Sequence, residues 1–425
     1  MIKTLLKIST EEAKVFKLHS LFSLIQGVIT GVFALNELVF IKDMSGDNFK
    51  LSILLQLSVL VLLFSMGVNE FLRRVKNKKK LLVVMAFISH LPLLLLLFFP
   101  ANPQAYIDSS FYHYLFLAVF LFFYLNLIIT LPTINQMLKS AYTHENFGRL
   151  YGYTSAANKI VIMITTLAFG ILLDNYNFAF KWVYPMMGVL GIISILLLSK
   201  IKQPSEIAVV TSFRKAMSNS LKYMKEVLKT NKAFLHFEIG FMFYGFAWMI
   251  SAAIIPIYFN EVFQMNHATY GFYKNGYNLL AILLLPFFGS LLGKIDARKF
   301  GAITFASLMF FSFSLAVAQY YMDYIQIGSI KIYFSLVVAY TFYGVFAATM
   351  ALLWFIGSAY FCKKEEAARY QSIHLSLTGM RAILSFQIGI WMYMAFGFVF
   401  TFAVSGFFLM AAVLLMLWSF SRKRG

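Results

Sequence analysis

Two basic residues set the chemical question. Lys159 and Arg381 each lie seven to nine residues inside a long apolar run. A charged side chain in the middle of a membrane span costs about 2.5–3.5 kcal/mol on insertion scales, so some gain must offset it. Glu37 and Glu238 sit towards opposite ends of their runs, and no carboxylate is expected beside the two cations. Two cations at a low-dielectric centre repel each other and invite an anion. Arginine's fixed fork of donors suits a carboxylate or a phosphate. The alternative is that helix-end carbonyls hold each cation, or that each snorkels to the cytoplasmic surface.

Other polar residues fall in register with these two. His19, Ser23, Gln26, Thr30 and Glu37 follow steps of 4, 3, 4 and 7, a single polar face on a helix, and His374, Thr378, Arg381 and Ser385 follow 4, 3 and 4. Shorter sets are Asn126, Thr130 and Thr133, then Ser155, Lys159 and Thr166, then Tyr244, Trp248 and Ser251, then Tyr270, Lys274 and Tyr277. Tyr333, Tyr340, Tyr343 and Trp354 lie close to one face of a more aromatic run. Several helices with polar faces imply a shared aqueous cavity. The candidate substrate-binding set is Gln26, Thr30, Glu37, Asn126, Thr130, Lys159, Tyr244, Trp248, Lys274, Tyr340, Tyr343, Arg381 and Ser385. Hydroxyls and amides in spans also serve as contacts between helices, and tyrosines near span ends form interfacial belts. Glu37 and Lys274, both in the outer third, either pair as an external gate or snorkel. His19, His236 and His374 lie near cytoplasmic ends and are expected to be hydrated. Glu238, about one turn in, is expected to be solvated.

The elements that must position these groups are membrane helices. The 425-residue chain is 60% hydrophobic and 12% charged, against about 25% charged in soluble domains. A helix needs about 20 mostly apolar residues to cross the hydrocarbon core. Charge-poor length places spans at 18–41, 51–70, 81–100, 111–137, 152–173, 181–199, 233–258, 270–293, 301–322, 332–358, 372–394 and 398–419, the last two separated only by the weak turn signal Ala395-Phe396-Gly397. The expected fold class is therefore an all-α polytopic membrane protein with twelve transmembrane helices. Of the 36 basic residues, 29 fall on the side of the N-terminus, Lys42, Lys50, Lys181 and Lys331 on the other, and Lys159, Lys274 and Arg381 inside spans. That is the positive-inside pattern, which puts both termini in the cytoplasm and a multi-pass chain in the cytoplasmic (inner) membrane. The net charge of +19 then lies against anionic lipid, and the cluster from Arg73 to Lys80 is a cytoplasmic anchor, so no nucleic acid is expected as a partner. The single cysteine, Cys362, allows no intramolecular disulfide. There is no zinc spacing, P-loop or nucleophile elbow, so neither a metal nor an enzymatic function is expected.

Residues 200–232 form the longest polar stretch. Within it Phe213, Met217, Leu221, Met224 and Leu228 recur at helical spacing among Arg214, Lys215, Lys222, Lys225 and Lys229. This predicts an amphipathic helix, lying on the inner membrane surface or solvated as a linker. The stretch divides the chain into six spans, residues 1–199, and six more, residues 233–425. "GVNEFLRR" from Gly67 and "GKIDARKF" from Gly293 share a glycine, a carboxylate three residues on, then basic residues, and both follow the second span of a half.

On these motifs and this plan the chain resembles the major facilitator superfamily, whose members are two pseudo-symmetric six-helix bundles joined by a basic cytoplasmic loop. The motif departs from the family's in using Glu70 for aspartate, in the acid's position and in lacking the second glycine. The resemblance implies a secondary transporter working by alternating access, with Glu70, Arg73, Asp296 and Arg298 as gating residues of cytoplasmic latches; the same residues could simply stop helices and anchor loops. The expected activity is transport of a small polar solute, an anion by preference, by a monomer with no cofactor beyond a coupling ion, proton or sodium. Two alternatives stay open: an exporter of amphiphilic or drug-like compounds, suited by the 18% aromatic content, and a non-transporting sensor or scaffold with the same fold.

Overall fold

The structure, a computed structural model, describes residues 8–72, 74–201, 213–292, 294–363 and 366–422. The helices used below are α1 Thr10–Phe33, α2 Asn48–Leu60, α3 Lys78–His90, α4 Phe111–Ala141, α5 His144–Asn175, α6 Phe180–Leu198, α7 Phe213–Thr230, α8 Lys232–Glu261, α9 His267–Leu292, α10 Ala297–Ala318, α11 Phe334–Ile356 and α12 Ala367–Ser421. Among the described residues ten helical stretches are long and apolar enough to cross a membrane, and Asn48–Phe64 is a shorter apolar one. The count is thus below twelve by that measure, because the last stretch, Arg369–Ser421, is 53 residues long. It breaks at Gly397, whose φ of +81° favours a residue without Cβ.

Short polar side chains set where these helices begin. Asp47, Asn77, Asn231 and Asp296 each accept the backbone N–H two or three residues on, which satisfies donors the first turn leaves free. At α1, Ser9 and Glu12 form a reciprocal capping box. The predicted amphipathic helix is α7. Val227 is buried and Lys222, Lys225 and Lys229 are exposed; the side chains of Phe213, Lys215 and Met217 lie outside the described residues.

The chain divides into two compact units. The first holds residues 1–46 and 67–216, the second 47–66 and 217–425. In the first, Gly31 on α1 lets α5 approach so closely that a Cβ would fall 2.8 Å from the Thr165 side chain, and Thr166 donates to the Gly31 carbonyl across the same contact at 2.9 Å. In the second, α2 packs on α12. The Gln56 amide donates to the Ile383 carbonyl at 2.6 Å and accepts from Gln387, and a Cβ on Gly379 would lie 2.3 Å from the Leu63 nitrogen.

One element was not anticipated. Tyr324–Ile327 and Ile330–Tyr333 form an antiparallel hairpin, β1 and β2, closed by Gly328 and Ser329 with Gly328 at φ +60°. The span expected from residue 332 therefore starts as α11 at Phe334. Alternating isoleucines around a Gly-Ser pair are a hairpin signal, which the search for long apolar runs passed over. The hairpin is tied to α9: Asn266 donates to the Ser329 carbonyl at 2.7 Å, Lys331 N–H donates to Thr269 Oγ1 at 3.1 Å, and Tyr333 N–H donates to the Tyr273 hydroxyl at 2.7 Å.

Candidate functional site

The second unit gathers most of the chemistry. Arg381, near the middle of the first part of α12, is 8% exposed. Its guanidinium crosses α8 where Gly245 has no side chain: a Cβ there would fall 2.0 Å from both Cζ and Nε. Nη1 donates to the Phe241 carbonyl, Cζ stands 5.5 Å over the Tyr244 ring, and Nε is buried without a hydrogen-bond partner. Ser385 Oγ, one turn on, donates to the Arg381 carbonyl.

Two turns before Arg381, His374 meets Glu238 of α8. Nδ1 lies 3.1 and 3.2 Å from the two carboxylate oxygens, and the side chains are 2% and 3% exposed. Nδ1 donates where the carboxylate is ionised, since an ionised carboxylate only accepts. His374 Nε2 is buried without a partner. Phe241 and Trp354 present ring faces or edges to the imidazole at 4.6 and 4.9 Å. Glu238 is also within electrostatic reach of Arg381. This corrects three expectations. Glu238 is buried and paired rather than solvated, His374 is buried rather than hydrated, and Arg381 does have a carboxylate in its neighbourhood. The causes are Gly245, which admits the guanidinium to α8, and the packing of α8 against α12 along one face.

An aromatic wall continues from the cation. Tyr244 stacks on Phe305 at 5.2 Å, Trp248 on Tyr343 at 5.4 Å, and Tyr277 meets Tyr343 edge-on at 4.5 Å, with Tyr340 5.7 Å from Tyr343. Four helices, α8 to α11, contribute to it. Of the candidate set, Tyr244, Trp248, Tyr340, Tyr343, Arg381 and Ser385 are brought together here. Lys274 is near, 5.8 Å over the Tyr270 ring and on the same helix as Tyr277.

The first unit holds the remaining candidates, which it does not draw into one cluster. Half-buried Gln26 donates to Ser194 Oγ at 2.8 Å, and Thr130 donates to Asn126, these last two side chains being buried. Thr30 is exposed, and Lys159 is half-buried with no ion-pair partner among the described residues. Glu37 is half-buried where α1 breaks off, within electrostatic reach of Tyr124 and Tyr184. His19, expected to be hydrated, is buried between the Tyr142 hydroxyl at 3.2 Å and Thr154 Oγ1 at 3.3 Å.

Of the residues expected to gate, Glu70 forms an ion pair with Arg74 at 3.0 Å, and Arg73 lies outside the described residues. Asp296 caps α10 and pairs with Arg298 at 3.0 Å, whose Nη1 donates to the Ser419 carbonyl at 2.6 Å. A similar tie in the first unit escaped the sequence reading. The Glu12 carboxylate is buried and accepts from Thr143 N–H, Thr143 Oγ1 and Asn146 Nδ2 at 3.0, 2.9 and 3.1 Å, joining the start of α1 to the α4–α5 turn. The Ser9–Glu12 spacing was the available signal. On α7, Tyr223 donates to Glu366 at 3.1 Å beneath the Arg369 guanidinium, and burial together with that carboxylate holds the phenol above its ordinary range.

A two-unit helical chain with membrane-length spans and a buried charged cluster is a polytopic membrane protein. The family model described as Major Facilitator Superfamily matches residues 18–330, and the chain belongs to that superfamily. Among solved structures, the nucleoside transporter NupG is similar at a TM-score of 0.68 and 15% identity, covering 96% of this chain and 100% of that one. A POT family transporter in complex with a thioalcohol-conjugated peptide gives 0.69 and 12%, covering 96% of each. The xylose transporter XylE from E. coli, inward open, gives 0.61 and 14%, covering 95% of each. At these identities the likeness is one of fold. No curated protein matches the sequence.

Proposed function

We propose that the chain is a secondary-active transporter that moves a small polar solute bearing an anionic group by alternating access, with a proton as the coupling ion. The observation that carries this reading is the Glu238–His374–Arg381 cluster at the edge of an aromatic wall. With His374 neutral, Glu238 and Arg381 cancel. One added proton, on the carboxylate or on Nε2, leaves a net positive charge in a buried site, and an anion neutralises it. Proton and anion therefore favour each other's binding, and by linkage the preference is mutual. The groups facing the pair are Tyr244 from α8 and Arg381 from α12; the described residues of α10 and α11 bring aromatic rings, Phe305 and Trp354. Fold neighbours that are solute transporters support transport over a scaffold role.

In proteoliposomes, an inward proton gradient is expected to accelerate uptake of whichever organic anion most raises the protein's melting temperature in a solute screen. Stabilisation by cations alone, or uptake indifferent to the gradient, would overturn the proposal.

The orientation is part of the same proposal: a cytoplasmic membrane, both termini and residues 200–232 inside, on the bias of 29 basic residues to 4. A cysteine placed between residues 101 and 110 should react with an impermeant reagent in intact cells. Protection there until the membrane is opened contradicts it.

A further inference from the structure

A different face of α8 carries its own pattern. Lys232, His236, Ile239, Phe243 and Phe246 follow steps of 4, 3, 4 and 3, a single stripe with Lys232 and His236 at its start and apolar residues beyond. The second part of α12 runs antiparallel beside it and mirrors it, with Phe408, Leu415, Trp418 and Arg422 at steps of 7, 3 and 4. The contacts join the two stripes in that order. His236 Nδ1 lies 2.9 Å from Ser419 Oγ, and its ring is 5.1 Å from Trp418. Farther along, Phe408 meets Phe243 at 6.1 Å and Phe246 edge-on at 5.2 Å.

The apolar length of this seam opens into a groove of about 510 Å³, walled by Phe243, Phe246, Ile388 and Phe408, with Ile239 nearest the basic end. At that end Lys232 and Arg422 are exposed. The Arg422 guanidinium stands 4.5 Å over the Trp418 ring, which is 43% exposed. Arg298, Arg422 and Lys232 are all within electrostatic reach of His236. Asp296 balances Arg298 at 3.0 Å, whereas Lys232 and Arg422 have no ion-pair partner among the described residues. Cations gathered around one imidazole repel each other, and an anion seated among them relieves that. A tryptophan beside them marks the level of a membrane interface. The seam thus suits a ligand that is anionic at one end and apolar along its length.

We infer that it binds one anionic phospholipid, with the phosphodiester between Lys232 and Arg422 and an acyl chain in the groove. The lipid comes from the leaflet at the start of α8. On the orientation proposed for the chain that is the inner leaflet, whose anionic lipids are drawn to basic pockets between helices. A headgroup that carries its own quaternary amine would bring a cation back to the same place, so net charge on the head decides the occupant. Lys299 supplies the contrast. It stands 4.3 Å over Phe420, which leaves α12 about 200° around from Trp418, and so does not join the seat. Nothing here depends on Arg381 as an anion-binding group.

The test uses the whole protein, delipidated in a non-ionic detergent, with native mass spectrometry to follow retention of dioleoylphosphatidylglycerol and dioleoylphosphatidylcholine across a titration. One basic side chain beside anionic lipid is worth roughly fivefold in affinity and two about thirtyfold, so the first phosphatidylglycerol is expected to bind at least tenfold more tightly than the first phosphatidylcholine. The double variant Lys232→Gln/Arg422→Gln should erase that preference and keep the melting temperature of the parent in detergent, because both side chains are exposed. Lys294→Gln/Lys299→Gln removes the same charge elsewhere at this end of the unit and should leave the preference intact. Inorganic phosphate in large excess should not displace the lipid. Equal retention of the two lipids would overturn the site. An equal loss of preference in both double variants would replace it with diffuse attraction to surface charge. Displacement by inorganic phosphate would overturn the lipid as occupant in favour of a soluble anion.

Discussion

Arg381→Gln is expected to weaken an anionic substrate by roughly ten- to a hundredfold, the worth of about 1.5–3 kcal/mol for a hydrogen bond to a charged group. Glutamine is shorter and neutral, but it can still donate to the carbonyls of α8, and Glu238 keeps His374 as its partner. The melting temperature should therefore move little while affinity collapses. Arg381→Lys separates charge from shape, since lysine restores a cation without the planar fork. It should recover part of the affinity and none of the preference for carboxylate over halide. Lys159→Gln is the comparison. Lys159 is half-buried where Arg381 is 8% exposed, and its greater exposure makes its contribution the smaller of the two. Binding by equilibrium dialysis, with melting curves for each variant, reads all of this. If both glutamine variants bind the solute normally, or if the solute proves to be a cation, the anion assignment is wrong.

The second large effect concerns coupling. Glu238→Gln keeps the size of the side chain and removes the charge that balances Arg381. The cluster is then positive at every pH where arginine is charged, so the site no longer needs a proton to attract an anion. Anion binding to the native protein should take up a proton from solution; in Glu238→Gln the affinity should be high and the proton uptake smaller, since only His374 can still accept one. Exchange of solute across the membrane should persist in the variant, whereas accumulation driven by a proton gradient should fall steeply. A structural role alone would predict a loss of both together with a lowered melting temperature. His374→Gln should give a milder form of the same uncoupling, because the carboxylate that remains can still take a proton.

Much of the architecture could be read from where charge is missing. Runs such as Leu81–Ile107 and Ala382–Ser421 announce helices, and even the weak signal at Ala395-Phe396-Gly397 coincides with the real break. The resemblance to the superfamily rested on about 25 residues of motif, and the match over residues 18–330 bears it out. What sequence could not supply was pairing. Glu238 and His374 are 136 positions apart, and each alone looks like a polar residue near a helix end. Only the packing of α8 against α12 makes them one group. Glu12 is a similar case: its capping box is local and legible, but its bonds to Thr143 and Asn146 depend on the turn between α4 and α5. Gly245 is mute in sequence for another reason, since its function lies in the side chain it lacks. Depth estimates taken from distance along a helix also failed for Glu238 and His374, because proximity to the end of a span does not imply contact with water when a neighbouring helix covers that face.

The hairpin between α10 and α11 has a practical bearing on labelling. Loop tips with small residues such as Gly328-Ser329 ordinarily tolerate inserted epitopes and fluorophores. Here the Ser329 carbonyl holds Asn266, and the other end of the hairpin holds Tyr273, whose ring lies 5.3 Å from Tyr340. A cargo placed at the tip would load α9 directly and, through Tyr273, press on the aromatic wall. Reporter signals from that site would register the wall proposed to bind the solute, and a binder raised against the hairpin would, on that proposal, behave as a brake on the protein it was meant only to mark.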